Sequence, residues 1–268
     1  MSDQSWEDAV RWLRDQPERA ELVRACFFDD PLLEAAERYR SCCEWSAVRA
    51  LVGTGGGAAL DLGAGRGISA YALARDGWRV TALEPDTSEL VGARAIRALA
   101  GQAGIAIDVV EAWGEDLPFG DATFDLVHCR QVLHHARDLQ RLMREIGRVL
   151  KPGGRFLATR EHVISKREDR EEFLASHSLH SLYGGENAYL LNEYIDAIRG
   201  GGIRIDQCLN PLASDINTFP ETRAEVMRRL AAKVRWPIPD VLPHGLLTVL
   251  GALKRNPGRI YSFVGTRR

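Results

Sequence analysis

The sequence predicts an α/β chain built on a doubly wound, mostly parallel sheet, with a helical segment in front of it and helical insertions behind. Three observations carry this expectation. Short apolar runs of strand length recur at 58–62, 78–83, 105–110, 124–129 and 155–159. Helix-periodic segments at 69–75, 87–100 and 139–150 separate most of them. The joins are short, and strand–helix–strand repeats with short joins put helices on both faces of a parallel sheet.

The bulk properties narrow the class. The chain has 268 residues, 45% hydrophobic and 27% charged, ordinary for a globular protein. Its formal net charge of -2 gives a nucleic-acid partner no support. No apolar run approaches the ~18 residues of a membrane span. The five cysteines, Cys26, Cys42, Cys43, Cys129 and Cys208, follow no metal-ligand spacing. They read as reduced thiols of a cytoplasmic protein. The first fifteen residues lack the apolar stretch of a signal peptide. No metal is expected, and a homodimer is left open.

Taken in order, the opening stretch is helical in pattern through Val10, Leu13, Leu22 and Val23. Asp30-Pro31 starts a further helix, proline being tolerated in a first turn. Residues 1–52 are thus expected to form a helical lid carrying Arg38, Tyr39 and Trp45. After Gly53-Thr54-Gly55-Gly56-Gly57 the period changes, and residues 58–62 read as a buried first strand. The clearest helix, 139–150, shows one face of Leu142, Met143, Ile146 and Val149, stopped by Lys151-Pro152-Gly153-Gly154. Beyond it the pattern predicts helices at 168–175, 188–199 and 221–234, and strands at 203–209 and 259–264. Residues 53–268 form the main domain on this reading, with cap-like insertions at about 161–187 and 210–258.

The chemistry begins at Leu60-Asp61-Leu62-Gly63-Ala64-Gly65-Arg66-Gly67. Glycines at the end of a first strand let the backbone turn sharply and let a ligand approach it. Their spacing is G-x-G-x-G. A dinucleotide fingerprint wants G-x-G-x-x-G, and Ile68 stands in the place of its last glycine. Asp61 would face a pyrophosphate unfavourably but suits a cationic ligand. Glu84, followed by Pro85, closes the second strand roughly 20 residues on, where an acid accepts hydrogen bonds from ribose hydroxyls. Trp113-Gly114-Glu115-Asp116-Leu117-Pro118-Phe119 follows the third strand. The fourth leads into Arg130-Gln131-Val132-Leu133-His134-His135.

From Leu60 to Thr159 this ordered set resembles the class I, Rossmann-like methyltransferases, especially the branch containing the quinone-biosynthesis C-methyltransferases. The string Arg148-Val149-Leu150-Lys151-Pro152-Gly153-Gly154-Arg155 is among that branch's most recognisable. The resemblance implies S-adenosyl-L-methionine as cofactor. By position, Asp61, Gly63, Ala64, Gly65 and Gly67 would line it, and Glu84 and Pro85 would take the ribose. Gly114, Arg130 and Gln131 would complete the cofactor contacts. Trp113 stands where the family commonly has an acid, so the adenine contact passes to Glu115 or Asp116, with the Trp113 ring stacking on the base.

Methyl transfer is an in-line displacement that needs alignment, exclusion of water and, for an oxygen acceptor, a general base. His162, leaving the fifth strand, and His135 are the candidate bases. Tyr39, His134, Arg160, Glu161, Tyr183, Glu186 and Asn187 are the candidate contacts to the acceptor. Their polarity suits a small hydroxylated molecule, such as a sugar, better than an isoprenoid quinone. Two other readings stay open. A nicotinamide-dependent oxidoreductase keeps the sheet and Glu84 but lacks the glycine spacing. A non-catalytic cofactor-binding protein keeps the fold, which never establishes activity alone.

Overall fold

The computed structural model describes residues 5–177, 179–233 and 244–268. Strands β1 (Ala58–Leu62), β2 (Arg79–Leu83), β3 (Ile107–Val110), β4 (Phe124–Arg130), β5 (Leu150–Ile164), β6 (Tyr189–Leu190), β7 (Ile203–Leu209) and β8 (Arg259–Arg267) form one sheet. Its order is β3-β2-β1-β4-β5-β8-β7, with β6 pairing β5 off this path. Strands β1 to β5 pair in parallel, while β8 runs antiparallel to both β5 and β7. The order reverses between β1 and β4. In open parallel sheets ligands bind beyond the carboxyl ends of the strands at such a switch point.

The helices are α1 (Trp6–Arg14), α2 (Ala20–Ala25), α3 (Leu32–Ser41), α4 (Cys43–Val52), α5 (Ile68–Arg75), α6 (Ala93–Ala103), α7 (Leu139–Val149), α8 (Asp169–Ser176), α9 (His180–Tyr183), α10 (Leu191–Gly200), α11 (Asp215–Thr218), α12 (Arg223–Lys233) and α13 (His244–Leu253). Among the described residues none is long and apolar enough to cross a membrane.

Two apolar cores sandwich the sheet. On one face Leu142, Met143, Ile146 and Val149 of α7 and Tyr194, Ala197 and Ile198 of α10 pack against Leu60, Val127 and Phe156. The Asp138 carboxylate caps α7 by accepting the Arg141 N–H at 2.9 Å. On the other face Ala35, Ala36, Trp45 and Val48 of α3 and α4 meet Tyr71, Ala72 and Leu73 of α5, with Ile96 and Leu99 of α6. The helices of residues 32–52 are therefore a layer of this core. Within the insertion at 210–258, Leu212, Val226, Met227 and Leu247 form a small core of their own.

Three local expectations shift. The helix expected at 87–100 begins only at Ala93. Before it, the Asp86 carboxylate accepts the Ser88 N–H and the Asp86 carbonyl accepts that of Ala93, holding a turn in place of helix. The Lys151-Pro152-Gly153-Gly154 segment ends α7 but lies within β5 as a bulge. Phe124 pairs with Leu150 and Leu126 already with Arg155. Helix α10 starts at Leu191, because residues 189–190 pair with β5. The helix expected over 221–234 is α12, and position 234 lies outside the described residues.

Candidate active site

Strand β1 delivers the chain into a loop in which Gly63, Gly65 and Gly67 all have positive φ, at 66°, 55° and 83°. The Gly63 and Ala64 N–H groups donate to the Leu83 carbonyl, pinning the loop to the end of β2. A Cβ on Gly63 would come within 2.6 Å of the Val132 side chain, whereas one on Gly65 would meet nothing within 4 Å. Gly65 thus presents bare backbone to open space, the surface a ligand needs for close approach.

Two buried carboxylates flank this loop. Glu84 Oε2 accepts the Gly65 N–H at 2.7 Å and Oε1 accepts the Asp86 N–H at 3.0 Å. Burial pushes its carboxyl up to about 7. Asp61 is 1% exposed, with Oδ1 lying 3.1 Å from His128 Nδ1. Its Oδ2 is buried without any donor from the protein. An unsatisfied buried carboxylate oxygen is costly, and a cationic ligand group would relieve it. Trp113 is 58% exposed, with Arg137 over its ring at 4.8 Å. Glu115 accepts the Arg137 N–H, and Asp116 is exposed. Gly114 sits against Leu142, where a Cβ would come within 2.7 Å. Pro85 turns the chain out of β2, and Gln131 adopts φ 58° while its N–H donates to the Thr159 carbonyl.

Sequence reasoning missed Arg66, the central residue of the loop. It is 5% exposed and donates to the Phe27 and Asp29 carbonyls at 3.0 Å and to Asp30 Oδ1 at 2.6 Å. Arg14 also pairs with Asp30, and Arg38 with Asp29 at 2.5 Å. Residues 27–30 are clamped over the glycine loop. The signal was a bulky cation between two glycines, facing a distant Asp29-Asp30 pair.

Four of the expected contacts are structural instead. Tyr39 is fully buried, its ring against Phe27 at 5.1 Å and Trp45 at 5.5 Å, so no acceptor reaches it. Arg130 holds the fully buried Glu44 through Nε at 2.7 Å and Nη2 at 3.0 Å, and also donates to Gln131 Oε1. Arg160 donates to the Ile216 and Phe219 carbonyls and lies 4.0 Å from Glu44, tying β5 to α11. Glu161, with no exposed surface, accepts the N–H groups of Val132, Leu133 and His134 and the His134 ring nitrogen. Arg130 and Glu161 spend their polar atoms on the protein, and Tyr39 and Arg160 are held within its packing.

The remaining candidates converge. His134 lies between Glu161 and Glu186, its Nδ1 2.6 Å from the first and its Nε2 3.6 Å from the second. Burial opposes its charge, but Glu161 outweighs that and lifts the imidazole to about 9. Tyr183 donates to Glu186 Oε1 at 2.6 Å. The Asn187 side chain turns back to accept the Ala188 N–H and stays out of this group. His162, 9% exposed, has Nδ1 3.1 Å from the Gly258 carbonyl and its ring 4.6 Å from that of His134. Burial, then the neighbouring His134, hold His162 down at about 3. So weak a base is poorly matched to general-base work near neutral pH. His135 is exposed, and its Nδ1 contacts the Gly185 carbonyl at 2.8 Å, leaving Nε2 as the acceptor nitrogen.

A methyltransferase domain family model matches residues 60–158, which span β1 through most of β5. The matched stretch, well under half of the chain, is similar to a methyltransferase domain. S-adenosylmethionine is the methyl donor such a domain takes, and the open face at Gly65 beside the unpaired Asp61 oxygen fits its cationic methionyl end. Solved structures share the fold over nearly the whole chain. A geranyl diphosphate C-methyltransferase from Streptomyces coelicolor A3(2) is 15% identical with a TM-score of 0.62, covering 96% of this chain and 88% of that one. An S-adenosylmethionine-dependent methyltransferase from Mesorhizobium loti is 21% identical with a TM-score of 0.58, covering 85% and 98%. The [4+2]-cyclase SpnF is 21% identical with a TM-score of 0.57, covering 87% and 81%. At these identities the likeness is one of fold, and the cyclase shows that one fold carries more than one chemistry. No curated protein matches the chain.

Proposed function

We propose that the chain transfers a methyl group from S-adenosylmethionine to a small hydroxylated metabolite, such as a sugar or polyol. The observation that supports the acceptor class best is the group of polar side chains where β4 and β5 end. There Tyr183 donates to Glu186 Oε1, His134 Nε2 lies 3.6 Å from Glu186 Oε2, and the rings of His134 and His135 are in contact. A hydrocarbon acceptor would leave Glu186 Oε2 and His135 Nε2 without a polar partner.

On this reading Asp61 receives the methionyl ammonium, Gly63 to Gly67 supply the close backbone face, and Glu84 receives the ribose hydroxyls. Trp113, exposed beyond β3, stacks on the adenine. Residues 27–30, clamped by Arg66, cover the donor and exclude water. When bound, the donor supplies an electrophilic methyl on a good leaving group. The protein then has to align the acceptor oxygen and remove its proton, and His135 Nε2 is the nitrogen placed to take it.

Glu84 gives a pH signature. Its folded pKa, about 7, stands well above that of an ordinary glutamate. Its contribution to stability is therefore present below the unfolded pKa and lost as pH rises through about 7. Binding has the opposite slope, because the ionised carboxylate is the better acceptor for hydroxyls. Affinity for S-adenosylhomocysteine is expected to rise about tenfold from about pH 6 to about pH 8. Calorimetric titration checks this, and Glu84→Gln is expected to flatten the profile.

The acceptor is tested by incubating the protein with labelled S-adenosylmethionine and fractionated cell extract, alongside a panel of nucleotide sugars and polyols. Label is expected in a polar small molecule identified by mass. In the same assay Glu186→Ala is expected to lower incorporation at least about tenfold, with S-adenosylhomocysteine affinity near wild type. Label appearing only in apolar products, or equal loss of turnover and cofactor affinity, would count against the acceptor assignment.

A further inference from the structure

His134, His162 and Glu186 come from three separate segments, the turn after β4, strand β5 and the loop after α9. Each offers one ligand atom, and these atoms all lie within 4.8 Å of one another. His134 Nε2 is 3.6 Å from Glu186 Oε2, and His177 Nε2, at the end of α8, is 3.8 Å from the same oxygen. Glu186 Oε2 is buried and accepts no hydrogen bond. Three imidazoles thus face one carboxylate oxygen that nothing satisfies.

The outer atoms of these side chains are secured one by one. His134 Nδ1 sits 2.6 Å from Glu161, whose other contacts anchor it to the turn of residues 132–134. His162 Nδ1 is 3.1 Å from the Gly258 carbonyl. Glu186 Oε1 takes the Tyr183 hydroxyl at 2.6 Å. In each case the far atom is tied to the protein and the remaining ligand atom is directed inward. A carboxylate on the second nitrogen of one histidine and a carbonyl on that of another is how protein ligands are oriented around a metal.

We propose that these residues form a mononuclear site for a divalent transition metal. His134 Nε2, the His162 nitrogen not engaged by Gly258, and Glu186 Oε2 are its ligands, with His177 in reach as a fourth. Imidazole-rich ligation with a single carboxylate suits Zn2+, Co2+ or Fe2+ and disfavours Mg2+ and Ca2+, which take oxygen sets. Bonds of the usual length place tetrahedral ligand atoms about 3.4 Å apart. The His134–Glu186 edge at 3.6 Å already meets that requirement, and the widest edge, 4.8 Å, closes on binding. His134 and Glu186 also serve the acceptor proposed above, but metal binding needs no acceptor and is measured without one, so the two readings can fail separately.

The test is titration of the tag-free, chelator-stripped chain with Co2+, followed by its visible absorption and then displaced with Zn2+. One Co2+ per chain is expected, with bands that vanish on Zn2+ addition. His162→Ala and Glu186→Gln are each expected to weaken Co2+ binding at least about tenfold. Melting temperature and S-adenosylhomocysteine affinity serve as the folding controls. Should either variant fail to fold, Tyr183→Phe keeps every ligand and removes only the hydroxyl on Glu186, and a loss of about tenfold is expected there. Absence of saturable Co2+ binding to the wild-type chain would overturn the proposal. So would equal affinity in the folded ligand variants, or an unchanged affinity in Tyr183→Phe when that variant decides.

Discussion

Replacing Glu44 by alanine is expected to cost about 3–5 kcal/mol of folding stability, the usual loss when one member of a buried ion pair is removed. Glu44 has no exposed surface and accepts a two-pronged bond from Arg130, with Arg160 at 4.0 Å. The Arg130 guanidinium also lies over the rings of Tyr39 at 5.3 Å and Phe27 at 5.7 Å. Without the carboxylate, two buried cations face each other and an aromatic cluster. Burial would raise the Glu44 carboxyl, but the charges of Arg130 and Arg160 prevail and lower it. Its stabilisation is therefore present above the unfolded carboxylate pKa and lost as pH falls through the depressed folded value. Urea unfolding at neutral pH measures the loss from the shift in midpoint at constant slope. The double variant Glu44→Ala, Arg130→Met should recover part of it, because the stranded charge is removed with its partner. A cost below about 1 kcal/mol would mean that the pair is solvated in solution.

The second large effect falls on binding. Asp61→Ala is expected to weaken S-adenosylhomocysteine binding by about 10–100-fold, the worth of a hydrogen-bonded charge that is lost. The ligand-free protein should lose less than Glu44→Ala does, since His128 Nδ1 loses its partner but a desolvated carboxylate oxygen goes too. Asp61 Oδ2 has no donor from the protein, so alanine removes a desolvated oxygen along with the Oδ1 contact to His128. This pairing of outcomes is what separates a ligand-facing carboxylate from a structural one. Melting with and without S-adenosylhomocysteine measures both: the ligand-induced shift should collapse while the ligand-free midpoint stays within a few degrees. Retained affinity, or collapse of the unliganded protein, would reassign Asp61 to the scaffold.

The legible part of this protein is the part governed by local chemistry. Apolar runs of strand length placed β1, β2 and β4 to within about a residue, because a strand buried on both faces is largely apolar. Glycine spacing marked the loop at residues 63–67, because positive φ is a property of the residue itself. The start of α6 was misplaced, since the residues at 87–92 are compatible with helix and only the Asp86 hydrogen bonds hold them out of it. Arg130, Arg160 and Glu161 escape a sequence reading for a similar reason. Their residue types suit a site, but their partners lie far along the chain.

By itself, then, the sequence determined the order of the main strands and helices, the glycine loop and the acids Asp61 and Glu84 beside it. Pattern and spacing are written residue by residue. Tertiary structure alone decided which charges are spent inside the protein. Glu44 meets Arg130 across 86 residues, and Arg66 reaches Asp30 across 36. It also decided that His134, His162 and Glu186 share one centre. Burial and pairing are set by packing, and no single stretch of chain contains the two surfaces that pack.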